Sequence, residues 1–462
     1  MQALALLMIV GVTIVPYLSI GDGFGRMAVL PSSAKYVPEL LGGMALLCVV
    51  ALGIRDRFRF VRPAYWVIFG LLTICIASSA VANALDPGPL FSGIRAYLRA
   101  IPWFFVPAVF AFDEKQIRTQ LKWMLGISLL QVPIGIEQRI HTQMNYYGFV
   151  SLTGDLTSGT FQFAGIFSIF LVSVACVIAA FTLKRQLPAL LGFVLAGTVL
   201  VPTMINETKA MLIMLPFALF VTFQAAAKRG ERLKRLVLAS AVTGVFFAVF
   251  IPTYDYMQQE KPGSDENTIG KFLSGDNADR YLDSESGIGT TRHVGRVDSV
   301  RVATEETLTD PVRAVFGVGI GNTMESALGS QFSGKYYERY HMFTLETTFS
   351  TLVLELGFLG VGALLCVYWL IFRDALFVAE HGNPSMRPLG AAWAAITPLM
   401  ALMLFYGAIH PSVGLSFLFW YFSGLVAADR ARLAMRVAAP VPARIATEMQ
   451  GAPLGRRAQV SR

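Results

Sequence analysis

Residues 201–216 of this chain read VPTMINETKAMLIMLP: an apolar run, the polar group NETK at 206–209, and a second apolar run. Each apolar run extends outward into a stretch of roughly 18 residues, the length that a helix needs to cross a bilayer. Two such stretches joined by a short polar turn are typical of a helical hairpin in a membrane. The sequence therefore predicts a membrane protein, with Lys209 at the membrane edge.

Composition extends this interpretation to the whole chain. Of the 462 residues, 55% are hydrophobic and 15% are charged, and the mean hydropathy is +0.57. We predict an all-α polytopic membrane protein with about 12 transmembrane helices, at residues 3–20, 35–54, 64–82, 98–112, 120–137, 159–181, 188–205, 210–226, 235–252, 347–372, 390–407 and 411–428. The first stretch lacks a basic leader and a small-residue cleavage site, so we expect it to be retained.

Basic residues indicate the orientation of these helices. They cluster after the even-numbered stretches, where the chain carries Arg55, Arg57, Arg59, Arg62, Lys115, Arg118, Lys122, Lys184, Arg185, Lys228, Arg229, Arg232, Lys234 and Arg235. Because cytoplasmic loops are enriched in Lys and Arg, both termini are predicted to be cytoplasmic. Topology and anionic lipid then account for the formal net charge of +8, and no nucleic-acid partner is predicted.

The polar parts of the chain divide it into four regions. Residues 1–252 hold the first nine predicted helices, 253–345 form a large extracytoplasmic loop containing short helices, 346–428 hold the last three helices, and 429–462 form a basic tail predicted to be disordered. The loop begins with a Gly-, Ser- and Asp-rich stretch typical of a flexible segment. Its GVGIGN sequence at 317–322 predicts either a plain turn or the backbone wall of a ligand site.

Several basic residues lie on the predicted outer face, where the positive-inside rule disfavours them. Arg95 and Arg99 are four apart, so a helix would place both guanidinium groups on one face, where an anion between them would offset their repulsion. We predict that this anion is the phosphate or diphosphate of a lipid-linked substrate. The other basic residues of this face are Lys209, Arg139, Arg292, Arg296 and Arg301. Each of them can instead extend to the interface or pair with an acid such as Glu207, Asp155 or Glu305.

Acidic residues lie where the loop returns to the membrane, in HMFTLETTFSTLVLELGFLG at 341–360. Glu346 stands at the mouth of the predicted helix, and Glu355 lies about two and a half turns inside it. Acids within a membrane helix are costly and indicate function. At about 100° per residue the two carboxylates fall on opposite faces, so one site is not expected to use both directly. Gly357 and Gly360 would allow close helix contact at that depth.

Four stretches resemble the bacterial O-antigen ligase and polymerase superfamily, which includes Wzy-type polysaccharide polymerases. They are GTFQFAG at 159–165, NETKAML at 206–212, GRVDSVRVATEETLTDPVRAVFGVGIGN at 295–322 and ETTFSTLVLELGFLG at 346–360. The last resembles the family signature of His, a small polar residue, nine residues, Gly, two residues and Gly. Here Glu346 stands at the histidine position, and the nearest histidine is His341, which leaves the assignment of the catalytic base open between these two residues.

This resemblance implies a GT-C-like fold in the bacterial inner membrane and inverting glycosyl transfer at its outer face. A glycan would pass from a polyprenyl-diphosphate-linked donor to a hydroxyl of a saccharide acceptor, with Glu346 or His341 as general base. No Asp-x-Asp cluster accompanies the outer-face basic residues, so we expect a metal-independent reaction without a cofactor. The leaving diphosphate would be stabilised by Arg95, Arg99, Lys209 and Arg296. Supporting roles are expected for Arg139, Glu207, Arg292, Arg301 and Glu355.

Three other functions fit parts of the pattern. Within the same superfamily, a ligase would transfer glycan to the lipid A core, although the replaced histidine disfavours this. A transporter of lipid-linked oligosaccharide would more often show two related halves and polar groups near the midplane. This chain concentrates its charges at one membrane edge and in one loop, which favours surface chemistry. The remaining alternative is a non-catalytic membrane partner of polysaccharide assembly proteins.

Overall fold

The computed structural model describes residues 1–19, 29–56, 58–146, 157–161, 163–206, 208–259, 268–270, 285–288, 291–326, 328–344, 347–407 and 412–438. Within these ranges the regular structure is helical apart from one antiparallel hairpin, in which β1 (Glu285–Ile288) pairs with β2 (Thr291–Val294). This hairpin lies in the part of the large loop that was predicted to be a flexible segment, where the β-branched ends of β2 favour an extended chain.

The described parts of the predicted apolar stretches are largely helical, and further helices lie between them. Those before the hairpin are α1 (Gln2–Thr13), α2 (Val15–Ser19), α3 (Val37–Asp56, preceded by a 3₁₀ turn), α4 (Pro63–Ala82), α5 (Pro87–Leu98), α6 (Pro102–Val109), α7 (Glu114–Tyr146), α8 (Ala164–Leu183), α9 (Ala189–Ile205), α10 (Met211–Ala226) and α11 (Arg232–Gln259). Those after it are α12 (Arg296–Leu308), α13 (Pro311–Phe316), α14 (Tyr337–Thr344), α15 (Thr348–His381), α16 (Met386–Met403) and α17 (Val413–Ala438).

Five helical segments of the described chain are long and apolar enough to cross a membrane: Ser32–Arg55, Pro63–Ala82, Ala164–Leu183, Arg232–Tyr256 and Thr348–His381. Three shorter helices, α1, α9 and α10, are also apolar. The class of helical membrane protein is therefore confirmed. Of the predicted spans, 98–112 differs most from its prediction, because its helix α6 has only 8 residues and contains Pro107.

Burial separates central helices from peripheral ones. In α8 72% of the apolar stretch is buried inside the protein, whereas in α11 the figure is 17%. The helix α16 packs along α15 and also contacts α8 and α10. A small residue makes this possible, because a Cβ at Gly390 would lie 2.6 Å from the backbone nitrogen of Ala379 on α15. The core is thus a bundle around α16, with α11 on its margin.

One end of the bundle gathers the basic residues that follow the even-numbered predicted spans. Arg62 pairs with the buried Asp374 of α15, and the Nζ of Lys184 donates to the carbonyl of Ala379 at 3.3 Å. Burial lowers the pKa of Lys184, helped by the nearby positive charges of Arg387, Arg235 and Lys228. These loops therefore share one end of the molecule, as the predicted orientation requires.

The helix α17 corrects the predicted start of the disordered tail. Residues 429–438 continue this helix instead of leaving it, because the segment is rich in Ala, Arg and Leu, which favour helix. Arg432 anchors the extension by donating to the carbonyl of Pro107 at 2.6 Å. Residues 439–462 lie outside the described part of the chain.

Candidate functional site

The backbone just beyond α16 forms hydrogen bonds with two of the four sequence motifs, those at 295–322 and 346–360. The carbonyl of Leu404 accepts from the backbone nitrogen of Phe349 at 2.8 Å, and the carbonyl of Gly407 accepts from the backbone and the hydroxyl of Thr348 at 3.0 and 2.8 Å. The Nε of Arg296 donates to the carbonyl of Tyr406 at 2.6 Å, with the guanidinium 4.8 Å from the centre of the Tyr406 ring. The motif at 295–322 and the motif at 346–360 thus meet at residues 404–407.

The motif at 159–165 reaches the same place, and the motif at 206–212 contacts it there. The Tyr406 ring packs against Gly165, where a Cβ would lie 3.1 Å from the ring. Asn206 is fully buried, and its amide donates to the carbonyl of Ala164 at 3.1 Å and to the hydroxyl of Ser168 at 2.6 Å. Residues 404–407 and these four partner segments are called the four-motif junction below.

A chain of buried hydroxyl groups runs beside the junction. The Oγ of Ser299 lies 2.7 Å from the Oγ of Ser350, which lies 2.5 Å from the Oγ1 of Thr347. Thr347 is the N-cap of α15 and accepts from the backbone nitrogen of Ser350 at 3.0 Å. The chain thus connects α12 to the residue that follows Glu346, whose own position lies outside the described residues.

Glu355 is fully buried and is bound by the glycine-rich loop. One carboxylate oxygen accepts from the backbone nitrogen of Gly321 at 2.9 Å, and the other accepts from the backbone nitrogen and hydroxyl of Thr323 at 2.9 and 2.8 Å. Burial, together with the adjacent Glu355 charge, raises the pKa of Tyr97 well above its usual value, so this phenol stays protonated beside the carboxylate. The loop therefore binds a carboxylate of its own chain, which is neither of the two predicted roles.

The same loop fills a break in α15. Gly357 has φ 63° and ψ −176°, which interrupts the helix. The carbonyls of Leu354 and Glu355 accept instead from the backbone nitrogens of Val318 and Gly319, at 2.6 and 3.2 Å. Non-helical backbone inside a membrane span is stable only when such groups are satisfied by protein. The predicted close contact at Gly357 is confirmed, but its partner is the end of α13 and the loop after it.

Arg95 and Arg99 share one anion, as their spacing predicts, and that anion belongs to the chain. The Oε1 of Glu39 accepts from Arg95 at 2.6 Å and from Arg99 at 2.9 Å. All three side chains are mostly buried, with exposed fractions of 19%, 12% and 21% for Arg95, Arg99 and Glu39. Tyr97, which lies between the two arginines in the sequence, is close to the Glu355 carboxylate.

The other predicted site residues lie on several different elements. Arg301 is exposed and pairs with Asp298 at 2.7 Å, so it has the structural role that the sequence left open. His341 lies on α14, where its Nδ1 is 3.1 Å from the carbonyl of Glu338. Lys209 is half-buried in the turn before α10, and Arg139 is buried on α7. Arg292 lies on β2, while Glu207 and Glu346 lie outside the described residues.

Two glutamines of α7 were missed by sequence reasoning. Gln138 accepts from the backbone nitrogens of Ser158 and Gly159 and donates to the carbonyl of Gly159. Gln131 accepts from the backbone nitrogen of Thr160 at 2.8 Å and donates to its hydroxyl at 3.1 Å. These buried amides hold the start of the first motif against α7. Their spacing could have indicated a shared role, because residues seven apart lie on one face of a helix.

Comparison with protein-family models and with curated proteins gives no match for this chain. Among the described residues, no group of three or more His, Cys, Asp or Glu side chains is placed to hold a metal ion. The site is thus defined by its own contacts: a four-motif junction, a buried carboxylate in a broken helix, and two arginines that share an acid.

Proposed function

We propose that this chain is a membrane glycosyltransferase that polymerises or transfers saccharide units carried on polyprenyl diphosphate. In this proposal about 12 helices span the bacterial inner membrane, both termini are cytoplasmic, and the loop 253–345 faces the outside. The observation that carries the proposal is the four-motif junction. Of the four segments that resemble one enzyme superfamily, three contact residues 404–407, and the fourth adjoins them because Asn206 binds Ala164.

The reaction follows from the chemistry of the donor. An acceptor hydroxyl attacks the anomeric carbon, the bond from that carbon to the diphosphate oxygen breaks, and the lipid diphosphate leaves with the bonding electrons. Glu346 or His341 takes the hydroxyl proton as general base. Arg95, Arg99, Lys209 and Arg296 supply positive charge for the leaving group, with no metal required. Ligation of a finished glycan to lipid A core uses the same chemistry with a different acceptor.

One observation favours a second class of protein. The break in α15 at Gly357 resembles the discontinuous helices that form binding sites in transporters. A transporter of lipid-linked oligosaccharide is therefore the second candidate. In this chain the loop at 317–323 occupies the hydrogen-bonding groups at the break, so they are not open to a transported ligand, which favours the enzyme.

The deciding experiment analyses surface glycan and lipid-linked intermediates in a strain deleted for this gene. We expect single repeat units to accumulate on polyprenyl diphosphate at the outer face, with no long polymer. Full-length polymer stranded on the lipid would indicate a ligase. Units trapped at the cytoplasmic face would overturn the enzyme proposal in favour of transport.

Complementation of that strain locates the site. Lys209→Ala should restore less than about a tenth of wild-type polymer at normal expression, because a cation that stabilises the leaving group is lost. The matched control is Lys228→Ala, which removes an exposed lysine at the opposite, basic end of the bundle and should restore normal polymer. Equal activity of the two variants would remove Lys209 from the site.

A further inference from the structure

The cluster of Glu39, Arg95 and Arg99 brings two basic side chains onto one acid. Two guanidinium groups converge on one carboxylate oxygen, at 2.6 and 2.9 Å. The three groups together carry one excess positive charge. The second oxygen, Oε2 of Glu39, is buried and has no hydrogen-bond partner within the described part of the chain. A buried acceptor left unsatisfied costs about 1–3 kcal/mol, so this carboxylate is a poor fit to the site that it occupies.

The backbone around the cluster is closely packed. A Cβ at Gly42, one turn after Glu39 on α3, would lie 2.7 Å from the carbonyl of Arg99. The segment that carries Arg99 is therefore held directly against α3. The guanidinium groups converge from α5 and from the residue that ends it, while the carboxylate comes from the first turn of α3. An anion that replaced the carboxylate would therefore meet both arginines on backbone that is already held in place, and only the Glu39 side chain would have to move.

A diphosphate fits this pair of arginines better than the carboxylate does. It carries at least two negative charges, and its several oxygens can each accept a charge-assisted hydrogen bond from a separate guanidinium. One carboxylate oxygen shared by two guanidinium groups supplies one negative charge and one acceptor. A diphosphate would therefore offer these two arginines more charge and more acceptors than Glu39 does, whatever their other contacts.

We propose that Glu39 is an internal competitor for the diphosphate site: it pairs with Arg95 and Arg99 when the site is empty, and the diphosphate of the lipid-linked donor displaces it. The identity of the donor rests on the proposed function, whereas the competition rests on the cluster alone. Return of the carboxylate would weaken the hold on the lipid diphosphate left after transfer, because bound anion and Glu39 compete for the same donors. Glu39 is thus a positioning residue that sets the affinity for substrate and promotes product release.

The test measures binding of inorganic pyrophosphate, and of polyprenyl diphosphate, to the purified full chain in lipid nanodiscs. Glu39→Gln removes the competing charge and should tighten pyrophosphate binding by about tenfold or more, with the gain reduced at high salt. Arg99→Gln should abolish the binding, and the double variant should show no gain. Glu305→Gln, which neutralises an exposed acid on α12, is the matched control and should leave the affinity unchanged.

Two further results keep the proposal open to refutation. If Glu39→Gln does not fold, Glu39→Asp retains the charge on a side chain too short to reach both guanidinium groups, and it should also bind pyrophosphate more tightly than wild type. Unchanged or weaker binding by the folded variant overturns the proposal. Tighter binding by Glu39→Gln, in a protein that never transfers saccharide, would refute the proposed function and support the competition. Saccharide transfer by the wild type, with unchanged pyrophosphate binding by Glu39→Gln, would support the proposed function and refute the competition.

Discussion

At the scale of single residues, Glu355 shows how a membrane helix accommodates an acid. The carboxylate is fully buried and accepts two backbone hydrogen bonds and one hydroxyl hydrogen bond from Gly321 and Thr323. An amide in its place would turn one acceptor into a donor that faces a backbone N–H. We expect Glu355→Gln to lower the free energy of unfolding by about 1–3 kcal/mol, measured by thermal unfolding in detergent.

Glu305→Gln is the matched control for this substitution, because Glu305 is exposed on α12. Its unfolding temperature should equal that of the wild type. If both variants unfold at the wild-type temperature, the loop at 317–323 does not depend on the Glu355 carboxylate for its position, and the contact would be incidental.

Residue spacing predicted part of this chemistry. Four residues of separation between Arg95 and Arg99 predicted an anion between them, and the structure places the Glu39 carboxylate there. The sequence could not identify that acid, because Glu39 is remote in the chain and its approach depends on how α3 packs against α5. The position of Glu355 inside a membrane span likewise indicated that this acid is unusual. The sequence did not predict that a loop some 35 residues earlier binds it.

At the scale of elements, α15 is the helix whose interior the sequence predicted least well. Its apolar run predicted one continuous span, and hydropathy carries no information about a single non-helical residue. The conformation of Gly357, with φ 63° and ψ −176°, is open essentially to glycine alone. The apolar run correctly predicted where this element begins, but its predicted end at residue 372 falls short of the observed end at His381. The break required knowledge of the loop at 317–319 that replaces the lost hydrogen bonds.

Gly357→Ala tests this break. A Cβ at this position would lie 2.5 Å from the carbonyl oxygen of Val315 and 2.6 Å from the nitrogen of Gly317. We expect a loss of more than about 2 kcal/mol of stability from strain and contact together, seen as a lower unfolding temperature or a loss of folded protein.

Gly362→Ala is the control on the same helix, since a Cβ there meets no atom within 4 Å. This substitution should be neutral or should stabilise the helix by up to about 1 kcal/mol. Equal tolerance of both substitutions would mean that α15 can close into a continuous helix, and the proposed role of the loop at 317–319 would fail.

At the scale of the whole molecule, hydropathy predicted the class of protein and the positions of most helices, because burial in lipid imposes a length and a composition on each span. It could not predict which helix ends meet. The contact of Asn206 with Ala164 and of Arg296 with Tyr406 depends on the packing of α16 among its neighbours, which no local pattern records. The four motifs were chosen by resemblance alone, and the contacts between them became visible only in the packing.

The predicted orientation can be checked with two engineered cysteines at opposite ends of the bundle, in a chain whose native Cys48, Cys75, Cys176 and Cys366 are replaced. Arg301→Cys lies on α12, where the wild-type side chain is 63% exposed, and Lys228→Cys lies at the exposed basic end. If the basic end faces the cytoplasm, as the enrichment of Lys and Arg in cytoplasmic loops predicts, a membrane-impermeant maleimide applied to spheroplasts should label Arg301→Cys alone. It should label Lys228→Cys only after the membrane is disrupted. The reverse pattern would place the four-motif junction at the cytoplasmic face, away from an acceptor glycan outside, and would overturn the proposed site of transfer.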